Sequence, residues 1–173
     1  MDNFQACLAF TLQQEGGFVD DPYDPGGATN MGITLATYQE WFPQATVADL
    51  RAIDAATVSE IYENDYWYAS GAVEFAPGVN LMMFDMAVNA GPTRAVKLLQ
   101  QCLGVAQDGR IGPITRMAVA MKSPLDLIKS LGSAQYWFYH GLSTWPNFGR
   151  GWTKRVKARE DAATALAQNS SIL

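Results

Sequence analysis

A glutamate near the start of the chain precedes several residues suited to acid–base chemistry. Glu15 comes at the end of a segment with helical spacing, and residues 16–34 are rich in glycine, proline and aspartate. Side chains in that segment that could bind or activate water are Asp20, Asp21, Asp24, Thr29 and Asn30. Cleavage of a glycosidic bond requires a protonated carboxyl group for the leaving oxygen and a second group that handles water on the opposite face of the sugar. The residue types therefore permit glycoside hydrolysis.

Glu15 suits the role of the acid. It follows Phe10 and Leu12, and partial burial beside apolar residues would favour the protonated form of its carboxyl group. Asp24 lies among prolines and glycines, where it would stay hydrated and ionised. From residue types alone a second interpretation stays open, in which Glu15 is a surface residue at a helix end and the aspartates only form turns.

The rest of the sequence indicates a mainly α fold. Apolar residues at three- and four-residue spacing predict a first helix up to Gly16, and residues 16–34 predict an irregular loop or a small β-hairpin. The stretch Val79–Ala90 is apolar nearly all round, which predicts a helix buried at the centre of the core. Further helices are predicted at 35–42, 54–67, 92–103, 113–121, 124–138 and 152–167.

Length and composition exclude several classes of protein. A chain of 173 residues with 49% hydrophobic and 17% charged residues is long enough for one domain and too apolar for disorder. Its apolar stretches fall short of the ~20 residues of a membrane-spanning helix, and the first 15 residues lack the basic region of a secretory signal. Cys7, Cys102 and the single His140 lack ligand spacing, so we expect buried thiols, no metal and no cofactor.

Charge is distributed unevenly along the chain. Residues 1–90 hold 13 acidic residues and one basic residue, whereas residues 91–173 hold 11 basic and 4 acidic residues. Five basic residues lie in one short stretch that could contact an anionic cell envelope: Arg150, Lys154, Arg155, Lys157 and Arg159. The alternative is ion pairing between the two halves together with a solvated helix face. We expect no nucleic-acid binding, because most of the remaining sequence is acidic.

The run EGGFVDDPYDPGGATNMGIT, from Glu15 to Thr34, resembles the signature of family 108 of the glycoside hydrolases. These are N-acetylmuramidases found as phage endolysins and in bacterial genomes. Further matches follow in the family's order: IYENDYW (61–67), FDMAVNAGPTRAVKLLQ (84–100), DGRIGPIT (108–115) and FGRGWTKRV (148–156). The resemblance implies a lysozyme-like helical fold and hydrolysis of the β-1,4 bond between N-acetylmuramic acid and N-acetylglucosamine in peptidoglycan. The glutamate of the EGG box, here Glu15, would be the general acid.

The resemblance also extends to the Glu, Asp, Thr triad of phage lysozymes. Glu15 and Asp24 have the same eight intervening residues, whereas Asp24 and Thr29 have four where those enzymes have five. In this scheme Asp24, helped by Thr29, stabilises positive charge on the sugar or orients water. Asn30 and Thr34 are expected to bind substrate, and they remain rivals for holding the water together with Asp20 and Asp21.

Residues 84–121 resemble what is catalogued as a peptidoglycan-binding module in this family. LQQCLGVAQDGRIGPIT also matches the LQ…LG…DG…G…T pattern of small wall-binding modules, although a helix, a turn and a helix start need the same residues without any ligand. Asp85 and Asn89, one turn apart on an apolar helix, either make buried hydrogen bonds or line the floor of a cleft. Tyr66 lies in a run of three aromatic residues and is a candidate for stacking on a sugar.

We therefore expect one lysozyme-like domain over residues 1–173, with a catalytic-motif lobe at 1–78 and a helical lobe at 79–173 that contains the peptidoglycan-binding-like region. The protein is expected to be a monomer, synthesised in the bacterial cytoplasm and released by a holin to act in the periplasm. Two alternatives stay open. One is a lytic transglycosylase, which needs a single glutamate, and the other is a non-catalytic wall-binding or secretion-associated protein.

Overall fold

The structure is a computed structural model that describes residues 3–20 and 27–170. Those residues are mainly helical with one small antiparallel hairpin, as predicted. The chain divides into two compact units, residues 1–63 and residues 64–173. The described elements are α1 (Asn3–Gln14), β1 (Thr29–Asn30), β2 (Ile33–Thr34), α2 (Leu35–Trp41), α3 (Val47–Arg51), α4 (Ala55–Tyr62), a π-helical segment (Glu63–Tyr68), a 3-10 turn (Ala72–Glu74), α5 (Val79–Ala90), α6 (Pro92–Leu103), α7 (Pro113–Ala120), α8 (Pro124–His140) and α9 (Trp145–Ser170).

Local signals in the sequence account for the helices of the first unit. Helix α1 ends just before the Gly16-Gly17 pair, as predicted. The side chain of Thr34 accepts a hydrogen bond from the backbone N–H of Thr37, and Asp54 caps α4 in the same way. Helix α3 was not predicted, because five residues are too few to show a period. Its signal was a capping box, in which Thr46 and Asp49 satisfy each other's backbone N–H groups.

Helix α5 is the centre of the second unit, where α6, α8 and α9 pack against it. Nine of its residues are buried, which confirms the prediction of a buried helix from its apolar sequence. Pro92 begins α6 and Gly104 ends it in the left-handed conformation, as the sequence indicates. Within the described residues, none of the helices combines the length and the apolar character needed to span a bilayer.

Two predicted helix boundaries differ clearly from the structure. Helix α9 begins at Trp145 rather than Trp152, because Pro146 is tolerated in a first turn while Gly149 and Gly151 weaken the helical pattern without breaking the helix. The helix expected to run to Trp67 changes to π-helical geometry at Glu63. In that segment Trp67 is buried and Tyr68 is 52% exposed.

The basic stretch of α9 is only partly on the surface, so only some of its five cations could contact an envelope. The guanidinium of Arg159 is fully buried and binds Asp85 at 2.5 Å, and Arg155 binds the same carboxylate at 2.8 Å. Arg159 also donates to the side-chain oxygen of Gln135. Arg155 and Arg159 therefore form ion pairs between the acidic and basic halves of the chain, which was the alternative interpretation of the basic stretch. The other three cations, Arg150, Lys154 and Lys157, are exposed.

The two cysteines are free thiols at unequal depth. Cys7 is buried in α1, as predicted, whereas Cys102 is half-buried near the end of α6. Burial raises the pKa of the Cys102 thiol to about 11. The neutral thiol is therefore the form present near neutral pH, so Cys102 behaves as a packing residue rather than as a nucleophile.

Candidate active site

A tight hairpin forms one side of the region around Glu15. Thr29 pairs with Thr34 and Asn30 pairs with Ile33, so Met31 and Gly32 make the turn. Both turn residues have positive φ, 49° at Met31 and 76° at Gly32, which is the geometry of a two-residue type I′ turn. Because side chains alternate across a strand, Asn30 and Ile33 are buried while the two threonines share the opposite, half-buried face.

The carboxyl group of Glu15 lies against the tip of this hairpin. The backbone N–H of Glu15 makes the last hydrogen bond of α1, to the carbonyl of Thr11 at 3.2 Å. Its half-buried side chain is so close to Gly32 that a Cβ there would lie 2.9 Å from Cγ and 3.1 Å from Cδ of Glu15. Only glycine fits this position. Any other residue would be strained at this positive φ, and its Cβ would collide with the side chain of Glu15.

Tyr62, at the end of α4, fixes the hairpin tip from inside the unit. Its ring is fully buried and its hydroxyl donates to the carbonyl of Met31 at 2.8 Å. A Cβ on Gly32 would lie 2.5 Å from that hydroxyl. Glu15, the turn and Tyr62 therefore meet at one place, and the sequence reasoning did not assign Gly32 or Tyr62 to the site. The signal for Gly32 was a glycine, a residue that tolerates positive φ, between the pairs TN and IT.

The loop that carries the predicted second carboxylate begins and ends at a bridge between Val19 and Thr29. Each backbone N–H of this pair donates to the other's carbonyl at 2.8 Å. Thr29, a predicted catalytic residue, thus occupies the point where the loop returns, and its hydroxyl contacts the carbonyl of Gly27 at 3.4 Å. Asp20 is exposed. Asp21 and Asp24 lie outside the described residues, so their roles stay predictions.

Asn30 and Thr34, predicted to bind substrate, have contacts within the fold. The side-chain amide of Asn30 is 6% exposed and donates to the carbonyls of Leu50 and Arg51 at 3.0 and 3.2 Å, which ties the hairpin to α3. The hydroxyl of Thr34 caps α2. Any additional contact of these residues with substrate stays a prediction.

The other three predicted substrate-binding residues lie in the second unit. The Asp85 carboxylate is fully buried between Arg155 and Arg159, the position described by the alternative of buried hydrogen bonding. The Asn89 amide donates to the carbonyl of Asp85 at 2.7 Å, one turn earlier on α5. Tyr66 is half-buried on the π-helical segment. Contact of any of the three with a sugar stays a prediction.

The wall-binding pattern around DGRIG has a structural explanation centred on Gln100. Its side-chain amide donates to Asp108 at 2.6 Å and to Thr115 at 3.2 Å, and its oxygen accepts from the backbone of Gly109 at 2.9 Å. The hydrogen bond from Gln100, followed by that from the backbone of Arg110, holds the pKa of the Asp108 carboxyl below its ordinary value. The Q, D, G and T residues of the pattern thus hydrogen-bond to one another and stabilise the turn between α6 and α7.

Among the described residues, no three histidine, cysteine, aspartate or glutamate side chains come together as metal ligands. The expectation that the protein uses no metal stays a prediction. The chemistry available around Glu15 in the described part of the site is that of a carboxyl group held between a helix end and a hairpin turn.

Comparisons with known proteins identify the family. The sequence model of the glycosyl hydrolase 108 family matches residues 8–91, and that of a predicted peptidoglycan domain matches residues 94–157. Among solved structures, the chain is similar to SagA of Brucella abortus, with 39% identity, a TM-score of 0.89 and 97% of each chain covered. Among curated proteins none matches the chain. The chain belongs to the glycosyl hydrolase 108 family, which confirms the resemblance inferred from its sequence.

Family membership settles the fold and the general class of activity. The fold is lysozyme-like and helical, and the protein has a glycoside hydrolase region and a peptidoglycan-binding region. Its partner is peptidoglycan, on which it has a role of the muramidase type. The matched peptidoglycan region begins and ends later than the stretch 84–121 expected from the sequence, and it includes the first half of α9.

Proposed function

We propose that this protein is an N-acetylmuramidase that hydrolyses the β-1,4 bond between N-acetylmuramic acid and N-acetylglucosamine, with Glu15 as the general acid. The observation that carries the proposal is the contact between the Glu15 carboxyl group and the glycine of the type I′ turn. A general acid must be held in one place to reach the leaving oxygen, and a helix end packed against a pinned turn provides that restraint.

In this mechanism Glu15 donates its proton to the glycosidic oxygen as the bond breaks. The sugar develops positive charge, and water attacks its anomeric carbon. Asp24, helped by Thr29, stabilises that charge or orients the water. Tyr62 holds the turn that Glu15 contacts, through its hydrogen bond to Met31, and is a positioning residue.

The decisive test compares Glu15→Gln with Glu40→Gln. Both substitutions keep the size of the side chain and remove a carboxyl group from the first unit, but Glu40 is an exposed residue of α2. We expect Glu15→Gln to lower the rate of clearing of purified Gram-negative sacculi by roughly 10² to 10⁴-fold, the range for loss of a general acid, and Glu40→Gln to leave it unchanged. Equal clearing by wild type and Glu15→Gln would remove Glu15 from the mechanism.

Mass analysis of the released fragments identifies the reaction. A hydrolase leaves hydrated N-acetylmuramic acid ends, because water is added across the cut. Anhydro ends would instead identify a lytic transglycosylase. If the wild type sediments with sacculi but releases no sugar, the protein binds the wall without cleaving it. A parallel Asp24→Asn variant tests the second group: a large loss of rate with unchanged thermal stability would support its catalytic role.

A further inference from the structure

The first half of α9, in the second unit, carries an open groove. Its volume is about 470 Å³, which is within the range of small-ligand sites. One face of the helix lines it, with Trp145, Pro146, Gly149, Arg150, Thr153, Lys154 and Lys157. We call this surface the α9 groove. It combines an aromatic ring at one end with cations along the rest.

At the aromatic end of the α9 groove, the Trp145 ring packs against a glycine of the same helix. The indole of Trp145 lies directly on Gly149, one helical turn later, where a Cβ would be 2.7 Å from two of its ring carbons. His140 and Tyr136 brace the same ring from α8, with ring centroids 4.9 and 5.6 Å away. Trp145 is half-buried, so the ring presents a rigid, partly exposed apolar surface. Such a surface suits the apolar face of a sugar ring.

The cationic part of the α9 groove lacks nearby negative charge. Residues 145–157 contain no aspartate or glutamate. Arg150 and Lys154 are exposed, and no carboxylate of the described residues lies within ion-pair distance of either. Lys157 is paired, with Asp161 at 3.1 Å. In a chain with a net charge of −5, two exposed cations left unbalanced on one face are complementary to an anionic ligand.

We infer that the α9 groove binds peptidoglycan strands, with a sugar ring against Trp145 and the carboxylates of the stem peptides paired with Arg150 and Lys154. The whole groove lies inside the matched peptidoglycan region, which extends to residue 157. Peptidoglycan supplies both an apolar sugar face and a regular series of free carboxylates. The inference rests on peptidoglycan as the substrate and is independent of Glu15 as the acid.

The charge contribution is tested with two double variants. Arg150→Gln with Lys154→Gln removes both cations of the groove, and Lys122→Gln with Lys129→Gln removes two exposed cations elsewhere in the same unit. Each is compared with the parent chain by co-sedimentation with intact sacculi, in the cold and before clearing begins. We expect the groove variant to bind about tenfold more weakly and the control to bind like the parent, since losing two exposed ion pairs together corresponds to roughly that factor.

The source of the negative charge is tested on sacculi whose carboxyl groups have been converted to neutral methylamides with a carbodiimide and excess methylamine. On these amidated sacculi the groove double variant and the parent should bind equally, because the carboxylates are neutralised. Equal binding of the two proteins to intact sacculi would overturn the inference. So would loss of binding to vesicles containing anionic phospholipid with no loss on sacculi, which would assign the groove to a membrane.

The aromatic contribution is tested with Trp145→Ala and Gly149→Ala. Gly149→Ala displaces the indole without changing charge, so we expect both variants to bind the amidated sacculi more weakly than the parent does. Thermal melts show whether each variant is folded. Unchanged binding by a folded Trp145→Ala would remove the sugar contact. These experiments measure binding, whereas the test of Glu15 measures the rate of clearing. A failure of the proposal for Glu15 can therefore be distinguished from a failure of the inference about the α9 groove.

Discussion

Replacing Gly32 by alanine tests whether the hairpin tip positions Glu15. The new Cβ would begin 2.9 Å from Cγ of Glu15 and 2.5 Å from the Tyr62 hydroxyl. Ordinary contact between such atoms needs roughly 3.5 Å, so the glutamate must move by at least about half an ångström and the tyrosine by about one. The hydroxyl of Tyr62 is also bonded to Met31, and moving it weakens that bond.

The energetic cost has two parts. An alanine at a positive φ of 76° costs about 1–2 kcal/mol wherever it occurs. Weakening the bond from Tyr62 to Met31 adds about 1 kcal/mol. We therefore expect Gly32→Ala to destabilise the fold by roughly 2–3 kcal/mol. A displacement of a catalytic group by about 1 Å can lower a rate by 10²-fold, so activity should fall far more than stability explains.

Gly27→Ala is the matched control. Gly27 has nearly the same φ, 70°, but a Cβ there would have no atom of the described residues within 4 Å. It should therefore show the backbone cost of about 1–2 kcal/mol without displacing Glu15. Thermal melts followed by circular dichroism measure the stability of both variants. Clearing of sacculi is then measured well below both melting temperatures, where each protein is folded.

The expected result is a loss of clearing of about 100-fold for Gly32→Ala and little loss for Gly27→Ala. A folded Gly32→Ala protein that clears sacculi as fast as Gly27→Ala would refute the reasoning, because Glu15 would then not depend on its contact with the turn. Equal and large losses in both variants would show that the loop backbone, rather than the position of Glu15, limits the reaction.

The remaining predictions concern stability in the second unit. Arg159→Met leaves the buried Asp85 carboxylate with one cation fewer and should lower the free energy of unfolding by about 3–5 kcal/mol in urea denaturation. Lys157→Met, which breaks an exposed pair, should cost under about 1 kcal/mol, and equal effects would contradict the account. Because the pKa of Asp108 is lowered, mainly by Gln100, its ionised form stabilises the fold above about pH 4, and this contribution is lost as pH falls through the folded-state pKa. The difference between the urea midpoints of wild type and Asp108→Asn should therefore be largest at pH 7 and should shrink as the pH falls below about 4, and a constant difference would contradict this.

Local signals in the sequence were sufficient for most helices. Thr34 and Asp54 cap helices close to the predicted starts, and Gly104 ends a helix at the predicted place, because capping depends on residues a few positions apart. Helix α5 was predictable because it is apolar on every face and so must be buried. The start of α9 was not, since Gly149 reads as a helix breaker until the Trp145 ring is seen to occupy the space that it leaves.

The candidate site was only partly predictable. The sequence by itself determined that Glu15 ends a helix and precedes a turn-rich segment, and its motifs indicated the family. Only the tertiary structure decided that the Glu15 carboxyl group lies against Gly32. It also decided that Tyr62 bonds to Met31, 31 residues earlier in the chain. In the second unit, Arg155 and Arg159 bind Asp85 across separations of 70 and 74 residues. Periodicity and capping report contacts within a few residues. Contacts between distant elements depend on how all the elements pack, which no local pattern contains.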